Sequence, residues 1–352
     1  MIFRIGHLGD TVVALPALWA LRDAFPTAHI ALLSNSDTKN LHYISPDSVL
    51  PPEGLIDEFI AYPTNLGAAA TVAASLKLAA QLRSKKFDAV VYLMPRARTL
   101  QQIERDTQFF RLAGIDRIFG VNYLKETRLD EPIPIPTPEI ASEADHLVQC
   151  MLFDGLVRGE SEHKADLLLT SDEIAAAEHW LRSATAGISN DAKLIAIAPG
   201  SKWESKVWSE ERFTEVVARM IDEFKILPMV FGGSEDHEKG NKLIASWRKG
   251  VNSSGALSVR ESAALLKRCA LYLGNDTGTM HLAAAVGTPC VAVFAAIDWV
   301  GKWTPFGDNN RVFRKRVECE GCHTPTCFNN HKCLDLVTVD EVYTACAEIL
   351  NK

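Results

Sequence analysis

The sequence predicts an α/β protein built as two nucleotide-fold domains of parallel sheet, facing a central cleft. Three observations carry this. The chain has 352 residues, too long for one small module and comfortable for two domains. Short apolar strands alternate with helical patterns, and the alternation restarts midway. A small, polar stretch, Ala184–Asp191, separates the halves and reads as a linker. The expected domains are 1–183 and 184–352.

The first half opens with an apolar strand, Ile2–Ile5, a turn through Gly6 to Asp10, and a helix. A second strand follows at His29–Leu33. An Ala- and Leu-rich helical pattern runs from Leu66 to Leu82. Asp88–Leu93 is a continuous apolar strand, of the kind buried on both faces of a parallel sheet. Pro132, Pro134, Pro136 and Pro138 mark an extended stretch, and helices are expected over Ser142–Leu156 and Ser171–Ser183. The second half reads as strands at Leu194–Ala198, Leu227–Gly232, Leu271–Gly274 and Pro289–Ala295. Helices fall at Ser209–Phe224, Asp236–Arg248, Glu261–Arg268 and Gly278–Val286.

Composition narrows the function. The chain is 47% hydrophobic and 23% charged, which excludes disorder. No apolar run approaches the roughly 18–20 residues that cross a bilayer. The formal charge of −7 argues against nucleic acid as a partner. The segment from Arg83 to Arg128 runs against that balance, with ten Lys/Arg to five Asp/Glu. Most of these are expected on a solvated face; a patch toward an acidic ligand is the sharper alternative. Val12–Leu21 has the apolarity of a signal-peptide core but lacks a cleavage site, so a buried helix and a cytoplasmic protein are expected.

The most informative stretch runs from Gly274 through Asn275, Asp276, Thr277 and Gly278 to His281. It places Asp276 and Thr277 at a helix N-terminus directly after a strand. Free backbone N–H groups and the helix dipole attract phosphate there. Gly278 permits close approach of a ligand, and His281 lies one turn further on. Ser201 and Lys206 fall in another strand-to-helix loop, where α/β domains bind ligands. A Lys there suits a diphosphate as a point charge. Glu235 follows the next strand, where a carboxylate suits ribose hydroxyls. Asp10 ends the first strand–turn, where one carboxylate oxygen can cap the helix while the other faces the cleft. Arg96 and Arg98 follow the strand Asp88–Leu93 and could fork an acidic ligand; pairing with acids such as Glu104 is the plainer alternative.

These motifs, in order, resemble those of glycosyltransferase family 9, the ADP-heptose:lipopolysaccharide heptosyltransferases. The matching stretches are Arg4 to Asp10, Pro199 to Lys206, Gly232 to Glu235 and Gly274 to His281. The resemblance implies the GT-B architecture of two Rossmann-like domains, the first taking the acceptor and the second the nucleotide sugar. It implies inverting transfer of heptose from ADP-heptose to a hydroxyl of an acidic inner-core saccharide, lipid-linked at the inner membrane surface. Asp10 would be the general base. Ser201, Lys206, Glu235, Asp276, Thr277, Gly278 and His281 would hold the donor, Lys206 also stabilising departing ADP, while Arg96 and Arg98 would meet the acceptor. No Asp-x-Asp triplet occurs, so no catalytic metal is expected. Another nucleotide sugar, or a protein acceptor, stays open within the family; a non-catalytic nucleotide-binding protein is the alternative outside it.

Cysteine usage is uneven. Cys150, Cys269, Cys290 and Cys346 sit in apolar surroundings, as buried structural cysteines do. Cys319, Cys322, Cys327 and Cys333 fall within fifteen residues, with His323 and His331 among them. Thiolates at such spacing can close a structural site for zinc, or for iron; reduced, packed thiols are the alternative.

Overall fold

The computed structural model describes residues 1–37, 43–129, 131–158, 164–188 and 191–352. The chain divides into two compact units. The first is Met1–Glu131 with Ala141–Leu167; the second is Pro132–Ile140 with Leu168–Lys352. The expected boundary at 183/184 therefore falls at 167/168, and residues 189 and 190 of the expected linker lie outside the described set.

The first unit runs β1 (Ile2–Phe3), α1 (Leu8–Val13), α2 (Leu15–Ala24), β2 (Ala31–Ser36), β3 (Glu58–Pro63), α3 (Ala68–Lys85), β4 (Val90–Tyr92), α4 (Leu100–Leu112), β5 (Ile118–Phe119), α5 (Val121–Thr127) and α6 (Glu143–Phe153). Its sheet is parallel, in the order β3-β2-β1-β4-β5. Strand order reverses between β1 and β4, the point where open α/β sheets leave a crevice at their C-terminal edge. Ile2, Val90 and Tyr92 are wholly buried on these central strands, which is why they read as unbroken apolar runs. The edge strand β3 is partly exposed and ends in Pro63, so it lacks that signal. Pro16 divides the expected first helix into α1 and α2 and sits in the opening turn of α2, where a missing N–H costs nothing.

The second unit runs α7 (Ser171–Ala184), β6 (Lys193–Ala198), α8 (Glu210–Glu223), β7 (Ile226–Val230), α9 (His237–Trp247), β8 (Val251–Asn252), α10 (Val259–Leu266), β9 (Leu271–Asn275), α11 (Gly278–Ala285), β10 (Cys290–Phe294), β11 (Arg311–Arg314), α12 (Lys332–Asp335) and α13 (Val339–Leu350). Its sheet has the order β11-β10-β9-β6-β7-β8, again parallel, with the reversal between β6 and β9. Trp208, Phe213, Leu271 and Val291 anchor its core. Helix α7 belongs here because it packs on α10, where Glu173 accepts from the buried Arg260 guanidinium at 2.9 Å. Residues 132–140 join the same unit through the Thr137 N–H, which donates to the buried Glu320 carboxylate at 2.9 Å. Glu320 also pairs with Arg314 and Arg316. Among the described residues no helix is long and apolar enough to cross a membrane.

At Gly274, near the end of β9, the backbone packs closely against β6. A Cβ there would collide with the Ala198 carbonyl and the Tyr272 hydroxyl. Gly274→Ala is therefore expected to lower unfolding stability by about 1–3 kcal/mol, the usual cost of overpacking, read as a drop in urea midpoint at constant m-value.

Candidate functional site

In the second unit three loops meet at the C-terminal edge of β9, β6 and β7. The loop after β6 spans Pro199 to Trp208 and includes a 3-10 turn, Glu204–Lys206. It is fastened to the end of β9 by Asn275, which is wholly buried. The Asn275 amide donates to the Pro199 carbonyl at 2.9 Å, and its oxygen accepts the Trp208 N–H at 3.1 Å. The loop after β7 closes in from the other side: a Cβ on Gly200 would strike the Asp236 carboxylate. Asp236 also accepts the Gly233 N–H at 3.0 Å.

This brings Lys206 to Asp276. The Lys206 ammonium donates to Asp276 Oδ2 at 2.6 Å, with both side chains mostly out of water. Trp203 flanks the ammonium, 5.8 Å from ring centre to nitrogen. Thr277 is the N-cap of α11 and Gly278 its first residue, so the leading N–H groups of that helix open beside the pair. Ser201 lies on the same loop and accepts the Trp203 N–H at 3.3 Å. Glu235 is exposed, its carboxylate folded back over Gly233. His281 is buried on α11, its ring 6.2 Å from that of Trp303. A cation, a helix N-terminus and close-set backbone thus stand at the sheet's reversal point, charge and donors of the kind that suit a phosphate.

In the first unit Asp10 is the third residue of α1, not its N-cap; His7 holds that place. One Asp10 carboxylate oxygen accepts the His7 N–H at 2.9 Å. The other stands 3.5 Å from the Arg4 guanidinium, which is itself buried. Arg4 donates to the Asp10 carbonyl at 3.1 Å and to the Leu93 carbonyl at 3.0 Å, linking the ends of β1 and β4. Gly6, at φ +150°, leaves room for the Asp10 side chain; a Cβ there would overlap it. About a quarter of the Asp10 side chain stays exposed.

Arg96 and Arg98 do not present two open forks. Arg96 is buried, its guanidinium donating to the fully buried Glu143 at 3.1 Å and to the Ala141 carbonyl at 2.6 Å. Arg98 pairs with Asp106 at 2.5 Å and reaches the Tyr92 hydroxyl at 3.4 Å. The partner acids are Glu143 and Asp106, one far in sequence, which spacing could not reveal. Arg98 and Asp106 line a cavity of about 440 Å³ with Tyr62, Phe3, Phe109 and Phe110.

The four clustered cysteines line one small cavity of about 10 Å³, room for a single water-sized sphere. Each sulfur accepts a hydrogen bond. Cys319 takes the Asn329 amide at 3.2 Å and Cys322 the Thr324 hydroxyl at 3.6 Å. Cys327 takes the His331 N–H at 3.2 Å, and Cys333 the Ala296 N–H at 3.4 Å. The donor set suits a soft cation, yet among the described residues no three His, Cys, Asp or Glu side chains converge as ion ligands. Cys150, Cys269, Cys290 and Cys346 are buried, and burial pushes all four thiols up, Cys150 to about 12.

Three residues of the site carry a role that their spacing did not announce. Asn275 is the polar residue that ends an otherwise apolar strand. Arg4 is a charge inside the first apolar run. Glu204 sits between two residues already singled out, with no signal of its own.

Two Rossmann-like α/β units make up the GT-B architecture found among glycosyltransferases. A solved glycosyltransferase of family 9 from Veillonella parvula superposes with a TM-score of 0.75 at 22% identity, covering 99% of this chain and 97% of that one. The family model for glycosyltransferase family 9 (heptosyltransferase) matches residues 150–333, and the chain belongs to that family. Among curated relatives, lipopolysaccharide heptosyltransferase 2 of Salmonella typhimurium is 27% identical over 40% of this chain and 42% of its own length. The Escherichia coli K12 protein of the same name is 23% identical over 82% of this chain and 80% of its own. An iron-containing dodecameric glycosyltransferase, TibC, from enterotoxigenic E. coli superposes with a TM-score of 0.56 at 13% identity, covering 99% of this chain and 76% of that one.

Proposed function

We propose that this glycosyltransferase moves heptose from ADP-heptose to a hydroxyl of a lipopolysaccharide inner-core saccharide, with inversion. The observation that carries the reading is the Lys206–Asp276 pair beside the open end of α11. Family membership and the names of the curated relatives support the sugar and the acceptor class. The donor diphosphate takes the Lys206 ammonium and the N–H groups at Gly278, with Ser201 donating to a phosphate oxygen. Asp276 then keeps Lys206 in place rather than binding phosphate itself, since a carboxylate repels it. Glu235 accepts from ribose hydroxyls, and Thr277 and His281 complete the sugar end.

Asp10 takes the proton from the acceptor hydroxyl as its oxygen attacks the anomeric carbon. Arg4 and the His7 N–H fix the carboxylate, so its exposed part is presented in one orientation. As the sugar–phosphate bond breaks, charge grows on ADP, and Lys206 with the helix end stabilises it without reorganising. These residues meet the phosphate charge without a metal. The acceptor is acidic and lipid-linked, and the enzyme works in the cytoplasm at the membrane surface. Arg96 is committed to Glu143, so the acceptor's negative group falls to other cations of the first unit, Arg98 among them once it parts from Asp106.

The cysteine cluster is proposed as a structural site for one zinc or iron ion on Cys319, Cys322, Cys327 and Cys333. The shared cavity, the hydrogen bonds to sulfur and the iron-containing relative support it. Loading would bring the four sulfurs together as ligands, which they are not among the described residues.

Asp10→Asn should fold and bind ADP normally while transfer falls by about 10² or more, the scale of losing a general base. Near-normal turnover would remove Asp10 from that role. Elemental analysis of purified protein should find one equivalent of metal, absent from Cys322→Ser, while brief EDTA treatment leaves transfer intact. Metal-free protein from both samples would leave packed thiols as the explanation.

A further inference from the structure

The cysteine-rich segment does more than line a cavity: it grips the turn that carries Lys206. Glu204, the first residue of that turn, has both carboxylate oxygens engaged by the segment. Oε2 accepts the Cys327 N–H at 2.9 Å, and Oε1 stands 2.7 Å from His331 Nε2. Ser205 is buried and doubly tied: its N–H donates to the Pro325 carbonyl at 3.1 Å, its hydroxyl to the Thr324 carbonyl at 2.5 Å. Just before the turn, the Trp203 ring lies 5.5 Å from that of His323. Just after it, the Trp208 N–H is held by Asn275. The backbone on either side of Lys206 is therefore clamped, from one end by the segment 323–331 and from the other by the tip of β9.

A lysine stem has four rotatable carbons and much rotamer entropy to lose. Fixing its Cα leaves a smaller set of positions for the ammonium, and the 2.6 Å contact with Asp276 selects one. We propose that Glu204 and Ser205 are positioning residues that set the reach of Lys206 by tying its turn to the cysteine-rich segment. Its consequence for donor affinity rests on the reading of Lys206 as a phosphate ligand. The side chain of Glu204 is half-exposed, so its removal need not disturb the core.

Two readouts separate the inference from that reading. The first is the rate at which an amine-reactive ester acylates Lys206 in ligand-free protein, followed by peptide mass spectrometry. The second is ADP affinity by calorimetry. Glu204→Ala should speed acylation of Lys206 severalfold and weaken ADP by about tenfold, while Glu204→Gln, which keeps an acceptor for the Cys327 N–H, restores both. With Lys206→Ala already present, adding Glu204→Ala should cost nothing further, because the two act as one unit. Ser205→Ala, a smaller change, should shift acylation in the same direction and serves if Glu204→Ala melts early. Unchanged acylation in Glu204→Ala and Ser205→Ala, or an equal loss of ADP affinity with and without Lys206, overturns the proposal. Faster acylation with no effect of Lys206→Ala on ADP would uphold the positioning role and overturn the donor assignment instead.

Discussion

The ion pair between Lys206 and Asp276 is the contact around which the candidate site of the second unit is built. It joins the loop after β6 to the end of β9, the two strands between which sheet order reverses. Neither residue could reach the other without the features beneath them. Gly274 lets β9 lie close to the Ala198 carbonyl, and Asn275 fastens the loop at both its start and its finish. Without a ligand the pair neutralises the charge of the buried Asp276, which would otherwise be costly to hold out of water. On the proposed reading, a diphosphate would give the ammonium a second anionic partner while the carboxylate still aims it.

The first unit solves a related problem with the opposite sign. There the group to be held is a carboxylate, and the buried Arg4 holds it while also linking β1 to β4. Gly6 supplies the space and His7 the N–H. Each unit thus holds one charged side chain at the reversal of its own sheet, using one residue of opposite charge and one glycine where a Cβ would collide.

The central strands and most helices of both units were legible because burial on two faces leaves continuous apolar runs, as at Val90–Tyr92 and Leu271–Leu273. Edge strands were not: β3 is laced with exposed positions and Pro63, and β11 reads Arg-Val-Phe-Arg. The domain boundary was misplaced because α7 has its own caps and polar face, and only its packing on α10 reveals where it belongs. Among site residues, those on short strand-to-helix loops could be named from spacing, since topology puts such loops on one edge. What spacing could not supply was partnership. Pairing of Arg96 and Arg98 with acids could be foreseen, but the partners are Glu143 on α6 and Asp106 on α4, and not the neighbouring Glu104. Lys206 and Asp276, seventy residues apart, were both expected at the donor, but nothing in their spacing showed that they pair with each other. Glu204 had no signal at all, because its importance lies in a segment more than a hundred residues downstream.

The central claim is that the donor's diphosphate binds at the reversal point of the second sheet. A crystal structure of the protein grown with ADP tests this most directly. The β-phosphate is expected within hydrogen-bonding distance of Lys206 Nζ and the Gly278 N–H, with the ribose toward Glu235. ADP bound elsewhere, for instance in the cavity beside Arg98 and Asp106, with Lys206 and Asp276 undisturbed, would contradict it.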